Sequence, residues 1–201
     1  MRRAGFSLLE LLVVIAILGI LLALAVPAMQ STGSGLEMTS GADLLTSQLR
    51  LARQTAIALN RNTELRLLSH KDELGNPRIR SIALYIAAEE AGTPPSPLTR
   101  PLKLPASVCI DSGSTLSPLL GNLEKSTGAQ LAVSIPGVGT NYEAYTIRFR
   151  PDGSAEVPSA KASNFLTLRA ARHDDPLTEL PVNHAVIQIS SSNGQVRAYR
   201  P

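Results

Sequence analysis

Hydrophobic and polar positions follow three different rules along this chain. From Phe6 to Leu36 the sequence carries one charge, Glu10, and through Val26 it is apolar on every helical face. Such a run has no side to turn toward water, which predicts a helix covered all round by lipid or by other chains. The stretch Phe6 to Val26 is long enough to cross a hydrocarbon core, which takes about 20 apolar residues. Farther on, Leu45, Leu49, Ala52, Ala56 and Leu59 recur at helical spacing, with Arg50, Arg53, Gln54 and Arg61 on other faces. That single stripe predicts a helix from Ser40, with Asp43 in its first turn, to Asn60, packing one side on a sheet. Beyond it the period becomes two.

Leu65 and Leu67 alternate with Glu64 and Arg66, Ile82, Leu84 and Ile86 with Ser81, Ala83 and Tyr85, and Tyr145, Ile147 and Phe149 with Thr146, Arg148 and Arg150. These segments read as strands, as do Phe165 to Arg169, Ala185 to Ser190 and, after the hairpin signal Asn193-Gly194, Val196 to Tyr199. The proline-rich stretch from Gly92 to Pro105 predicts an exposed loop, and Ser112 to Gly128 a second irregular region. A helix followed by strands indicates an α+β fold: an N-terminal transmembrane helix, then a helix packed on an antiparallel β-sheet domain. The polar, glycine-containing segment Gln30-Ser31-Thr32-Gly33-Ser34-Gly35 predicts a break. The organisation expected is a leader over 1–5, a hydrophobic helix over 6–29, a linker over 30–40 and one soluble domain over 41–201.

Composition narrows the function. Of 19 basic residues Arg2 and Arg3 precede the apolar run, leaving 17 against 16 acids, so the net charge of +3 gives the body of the chain no general affinity for nucleic acid. The same two arginines predict a cytoplasmic amino terminus and place the rest across the membrane. Aromatic residues make up 3% with no Trp, which argues against a stacking platform for single strands. The one cysteine, Cys109, reads as a buried apolar residue, because no intramolecular disulfide is available to it.

Glu10 needs a reason. An acid in mid-membrane costs roughly 2.5 to 3.5 kcal/mol on insertion scales, yet this one stands four residues inside the apolar run. A secretory signal would have a shorter apolar stretch, with Ala23, Ala25 and Ala28 as the cleavage motif, and a plain anchor leaves the acid unexplained. The segment Gly5-Phe6-Ser7-Leu8-Leu9-Glu10-Leu11-Leu12-Val13-Val14-Ile15-Ala16-Ile17-Leu18-Gly19-Ile20-Leu21 resembles the amino terminus of type IV pilins and type II secretion pseudopilins. The resemblance implies that a prepilin peptidase cuts after Gly5 and methylates Phe6. It makes Glu10 the fifth mature residue and Pro27 the helix-bending proline. The new amino group at Phe6 would lie one helical turn from Glu10. In an assembly the acid of one subunit can neutralise the terminus of a neighbour, turning two costly buried charges into one hydrogen-bonded pair.

Two further stretches carry the resemblance onward. Gln48-Leu49-Arg50-Leu51-Ala52-Arg53-Gln54-Thr55-Ala56-Ile57 and Phe149-Arg150-Pro151-Asp152-Gly153-Ser154-Ala155 are similar to the helix and strand-turn of the minor pseudopilin H (FimT-like) subgroup. The ending from Ile187 to Pro201 resembles the branch called Verru_Chthon cassette protein D. By resemblance to FimT-like minor pilins that bind DNA, Arg197 and Arg200 beside Tyr199 are candidate phosphate contacts, set against the reading of a solvated edge strand.

Catalytic chemistry is not evident. His70, His173 and His184 have no metal-ligand spacing with one another or with Cys109, Asp174 and Asp175 beside His173 read as a solvated loop, and Gly153-Ser154 lacks a nucleophile-elbow pattern. No enzyme activity, cofactor or metal is expected. The expected function is that of a structural minor subunit of a type II secretion-like pseudopilus, anchored in the bacterial inner membrane with its domain in the periplasm. Its expected partners are prepilin peptidase, the membrane and other pilins. The alternatives are a minor type IV pilin with an adhesion or DNA-uptake role and a signal-anchored periplasmic enzyme.

Overall fold

The computed structural model describes residues 8–72, 75–88, 93–131, 133–136, 138–171 and 176–201, with the side chains of 22–34 excepted. The chain forms two compact units, Met1–Leu36 and Glu37–Pro201.

The first element, α1, is helical from Leu8–Leu59. It does not end at Pro27, and it is helical through 30–40 where the sequence predicts a linker. A proline removes one backbone donor, and a glycine costs about 1 kcal/mol relative to alanine. These are local losses inside a segment flanked by strong helix formers.

In the second unit α1 presents Met38, Ala42, Leu45, Leu49, Ala52 and Ala56 at steps of four and three, all buried. Leu59, expected to close the stripe, is exposed. Asn60 takes a left-handed φ of 51° and the Arg61 N–H reaches back to the Ala56 carbonyl at 3.2 Å, so the helix is capped before Leu59 can turn inward.

The strands are β1 (Thr63–Lys71), β2 (Pro77–Ile86), β3 (Ser96–Pro97), β4 (Leu102–Lys103), β5 (Val108–Ile110), β6 (Glu124–Thr127), β7 (Glu143–Phe149), β8 (Phe165–Ala170), β9 (His184–Ile189) and β10 (Val196–Tyr199). They form one sheet in the order β10-β9-β8-β5-β2-β1-β7-β6, antiparallel at every pairing, with β3 and β4 also on β2. The fold is α+β. The proline-rich stretch is therefore not wholly loop, and the region expected to be irregular contributes β6. Two-residue strands and the polar sequence Glu-Lys-Ser-Thr carry no apolar alternation from which either could have been read.

Leu65, Leu67, Ile82, Leu84, Ile147 and Phe149 face the α1 stripe in one core. The Thr63 hydroxyl, buried among them, donates to the Ala52 carbonyl at 2.8 Å. On the other face Leu68, Ala83, Tyr85, Tyr142 and Ala144 form a smaller core with Ile135. Beside it Glu64 accepts from Arg66 at 2.7 Å and from Arg148 at 2.9 Å, and the Arg66 guanidinium lies 4.3 Å from the centre of the Tyr85 ring. Burial pushes the Tyr85 phenol above its ordinary range, a trend the Arg66 charge opposes. Asp111 and Arg169, both fully buried, pair at 2.6 Å and hold β8 to the end of β5.

Candidate functional site

The apolar half of α1 opens at the first described residue, Leu8, with Glu10 in the first turn. An acid there also complements the helix dipole, a contribution of about 0.3 to 1 kcal/mol. From Leu8 to Leu21 every side chain is exposed, including Leu8 at 83% and Ile20 at 63%. Leucine, isoleucine and valine thus occupy all sides of the cylinder and are exposed among the described residues. A Cβ at Gly19 would meet nothing within 4 Å, so this turn leaves room for another backbone to approach. Among the described residues no helix is long and apolar enough to cross a membrane. The expected span, Phe6 to Val26, runs past the described side chains at both ends.

A second arrangement ties α1 to the sheet through the two stretches singled out in the sequence. The Arg53 Nε–H points at the Asn193 carbonyl at 2.7 Å and the Gly153 carbonyl at 3.3 Å, joining two turns. Gly153 has φ 82° and Gly194 φ 59°, and the turns press so closely that a Cβ at Gly194 would strike the Gly153 carbonyl oxygen. The Asp152 carboxylate accepts from the Ser154 hydroxyl at 2.6 Å and its N–H at 2.8 Å, and these bonds, the hydroxyl first, hold its pKa low. Ser154 is therefore engaged with its own turn.

Arg197 is exposed on β10, at one end of the sheet. Arg200 is directed elsewhere, donating to the Thr39 hydroxyl and to the Asn183 side-chain oxygen at 3.3 Å, so the two arginines named from the sequence do not converge. The cations that do gather near Arg197 are Arg50, Arg53 and Lys161. The sequence reading missed Lys161, which arrives from a loop, and placed Arg50 and Arg53 only on the polar side of a helix.

His70 shares a 3.0 Å hydrogen bond with the Ser81 hydroxyl, and His184 a 2.7 Å one with the Pro181 carbonyl. His173, Asp174 and Asp175 lie outside the described residues, as do Gly5 and Phe6. Among the described residues no group of three His, Cys, Asp or Glu side chains could hold a metal. Cys109 is buried in β5.

Residues 1–26 match the family described as the prokaryotic N-terminal methylation motif. Two crystal structures of the type IV minor pilin FimU from Pseudomonas aeruginosa strain PAO1 are similar to this chain. One has TM-score 0.46 at 17% identity, covering 82% of this chain and 92% of that one. The other has TM-score 0.43 at 15% identity, covering 82% and 97%. No curated protein matches the chain. The match spans Glu10 and the exposed apolar turns around it.

Proposed function

We propose that this chain is a structural subunit of a type IV pilin-like filament, in its narrowest form a minor pseudopilin of a type II secretion-like system. The single observation behind this reading is a methylation-motif helix whose apolar side chains are exposed on all faces around one acid, Glu10. Before assembly lipid covers that surface, with the amino terminus cytoplasmic, the helix in the inner membrane and the second unit in the periplasm. Cleavage after Gly5 leaves a positive amino group on Phe6, one turn from Glu10. A buried charge without a partner is strongly unfavourable, whereas a close pair recovers much of the desolvation loss. Insertion beside an earlier subunit therefore sets the register in which Glu10 meets the neighbour's terminus, and the all-round apolar surface packs against other helices. Pro27 allows the helix to bend as it leaves lipid. The chain acts as substrate of the peptidase and as a building block.

The test separates anchoring from assembly. Glu10→Ala and Glu10→Lys should leave the protein in the membrane fraction and its sheet domain folded, while filaments containing it disappear. Amino-terminal mass spectrometry of protein from native membranes should find a chain beginning at methylated Phe6. Normal assembly of Glu10→Ala, or a native chain that keeps Met1–Gly5, would overturn the reading. Recovery on extracellular filaments distinguishes a surface pilus from a pseudopilus.

A further inference from the structure

The β10 strand closes the sheet at one end and, among the described residues, pairs only with β9. Its register places Arg197 opposite Gln188 and Tyr199 opposite Val186, and the Ser190 N–H donates to the Gln195 carbonyl at 2.9 Å. In an antiparallel pair the residues that exchange hydrogen bonds alternate, so Gln195, Arg197 and Tyr199 turn their backbone groups toward β9. Val196 and Ala198 present theirs outward, at the end of the sheet.

Two grooves flank this edge. One of about 360 Å³ lies on the helix side, lined by Arg50, Arg53, Gln54 and Val196. The other, of about 320 Å³, is lined by Lys161, Asn164 and Gln188 with a run of serines. Arg197 and Gln195 border both, and no carboxylate lines either. Among the described residues none of Arg50, Arg53, Lys161 and Arg197 forms an ion pair. Arg66, Arg78, Lys125, Arg148, Arg150 and Arg169 all do. Among the described residues no acid pairs with the cations at this end of the sheet.

We propose that the β10 edge receives an extended acidic segment of a neighbouring subunit, which adds a strand to the sheet. Val196 and Ala198 supply the main-chain hydrogen bonds that define strand addition. Side chains of an added strand alternate between faces, so acids on one face would meet Arg50 and Arg53 and acids on the other Lys161, with Arg197 between. No aromatic ring lines either groove, so nucleobases have nothing there to stack on, and open backbone groups at a sheet end suit a peptide better than a phosphate chain. Only the source of the segment rests on the filament reading. The experiment below measures peptide binding and not assembly, so either can fail alone.

The full chain in detergent micelles is titrated against a labelled peptide of about eight residues, a common strand length, built on the repeat Asp-Asp-Val-Val so that acids fall on both faces, with fluorescence anisotropy as the signal. Binding is expected, weakening as salt rises and further in Arg197→Glu. Ala198→Pro removes one outward N–H where an edge strand tolerates proline, and should lower affinity by about fivefold to tenfold, the equivalent of one hydrogen bond, with an unchanged circular dichroism spectrum. A peptide N-methylated at alternate amides should lose binding to the unaltered chain, which covers the case of a poorly folded proline variant. Undiminished affinity with both the proline variant and the N-methylated peptide would overturn the proposal. So would preferential binding of a single-stranded oligonucleotide that Arg197→Glu abolishes and Ala198→Pro leaves intact, because the site would then be a phosphate patch.

Discussion

The two halves of α1 are one helix by hydrogen bonding and two different objects by packing. From Leu8 to Leu21 apolar residues occupy every face and all are exposed, whereas from Met38 to Ala56 one stripe, Met38, Ala42, Leu45, Leu49, Ala52 and Ala56, is buried while Leu51, off it, is exposed. A stripe is the signature of a helix with a partner surface in its own chain, here the inner face of the sheet. An all-round apolar surface has no solvated side and belongs in a protein core or in lipid. The pattern of hydrophobic positions therefore separates the two halves, and the methylation-motif match falls on the half whose apolar side chains are exposed.

The largest effect should come from exchanging matched substitutions between the halves. Leu49→Ala removes a fully buried side chain from the main core and should destabilise the second unit by about 2 to 5 kcal/mol. Ile15→Ala, at an exposed position, should leave that unfolding within about 0.5 kcal/mol. Chemical denaturation of the full chain in micelles, followed by the sheet signal in circular dichroism, measures both. Comparable losses from the two substitutions would mean that the halves are not distinct in what they pack against.

Glycines sharpen the same contrast at a smaller scale. Gly194→Ala puts a Cβ against the Gly153 carbonyl and 3.0 Å from Cδ of Arg53, at a φ of 59° that disfavours a side chain. It should cost about 1 to 3 kcal/mol of second-unit stability. Gly35→Ala meets nothing within 4 Å, and should leave the sheet's unfolding midpoint unchanged while helical signal holds or rises, since alanine favours a helix by about 1 kcal/mol. Loss of helical signal in Gly35→Ala would restore the break that the sequence suggests at Gln30–Gly35.

What was legible in the sequence follows from how local its signal was. The stripe on α1 and the alternation in β1, β2, β7, β8, β9 and β10 are one-dimensional patterns imposed by burial, and Glu10 shows because one acid stands out in an apolar run. The strands β3, β4 and β6 are too short or too polar to alternate, and Gly33 and Gly35 gave a breaker signal that the surrounding helix overrides. The buried Asp111–Arg169 pair joins residues 58 positions apart, and the cation cluster at β10 draws on α1, a loop and the last strand. Such groupings arise only when the sheet is ordered, so Arg197 and Arg200, three positions apart in sequence, separate, while Arg197 and Lys161, far apart in sequence, share a groove.

The smallest expected effect lies at the boundary between the halves. Glu37, the first residue of the second unit, accepts from the Ser107 hydroxyl and from its N–H at 3.1 Å. The hydroxyl bond foremost, then the N–H and the nearby Arg80 charge, hold its carboxyl below the ordinary value of 4.5. A carboxyl whose folded pKa is depressed stabilises the fold above its unfolded pKa, and the contribution fades as pH falls through the folded value. Stability of the unaltered chain relative to Glu37→Gln should therefore be constant at neutral pH and shrink as acidification passes through the ordinary carboxylate range and below it. Because the side chain is solvated, screening keeps the amplitude small, and it is best read as a difference in urea midpoints across pH. A difference that stays flat through that window would mean the Ser107 contact does not fasten the helix where it enters the sheet domain, leaving the Met38–Ala56 stripe to hold it alone.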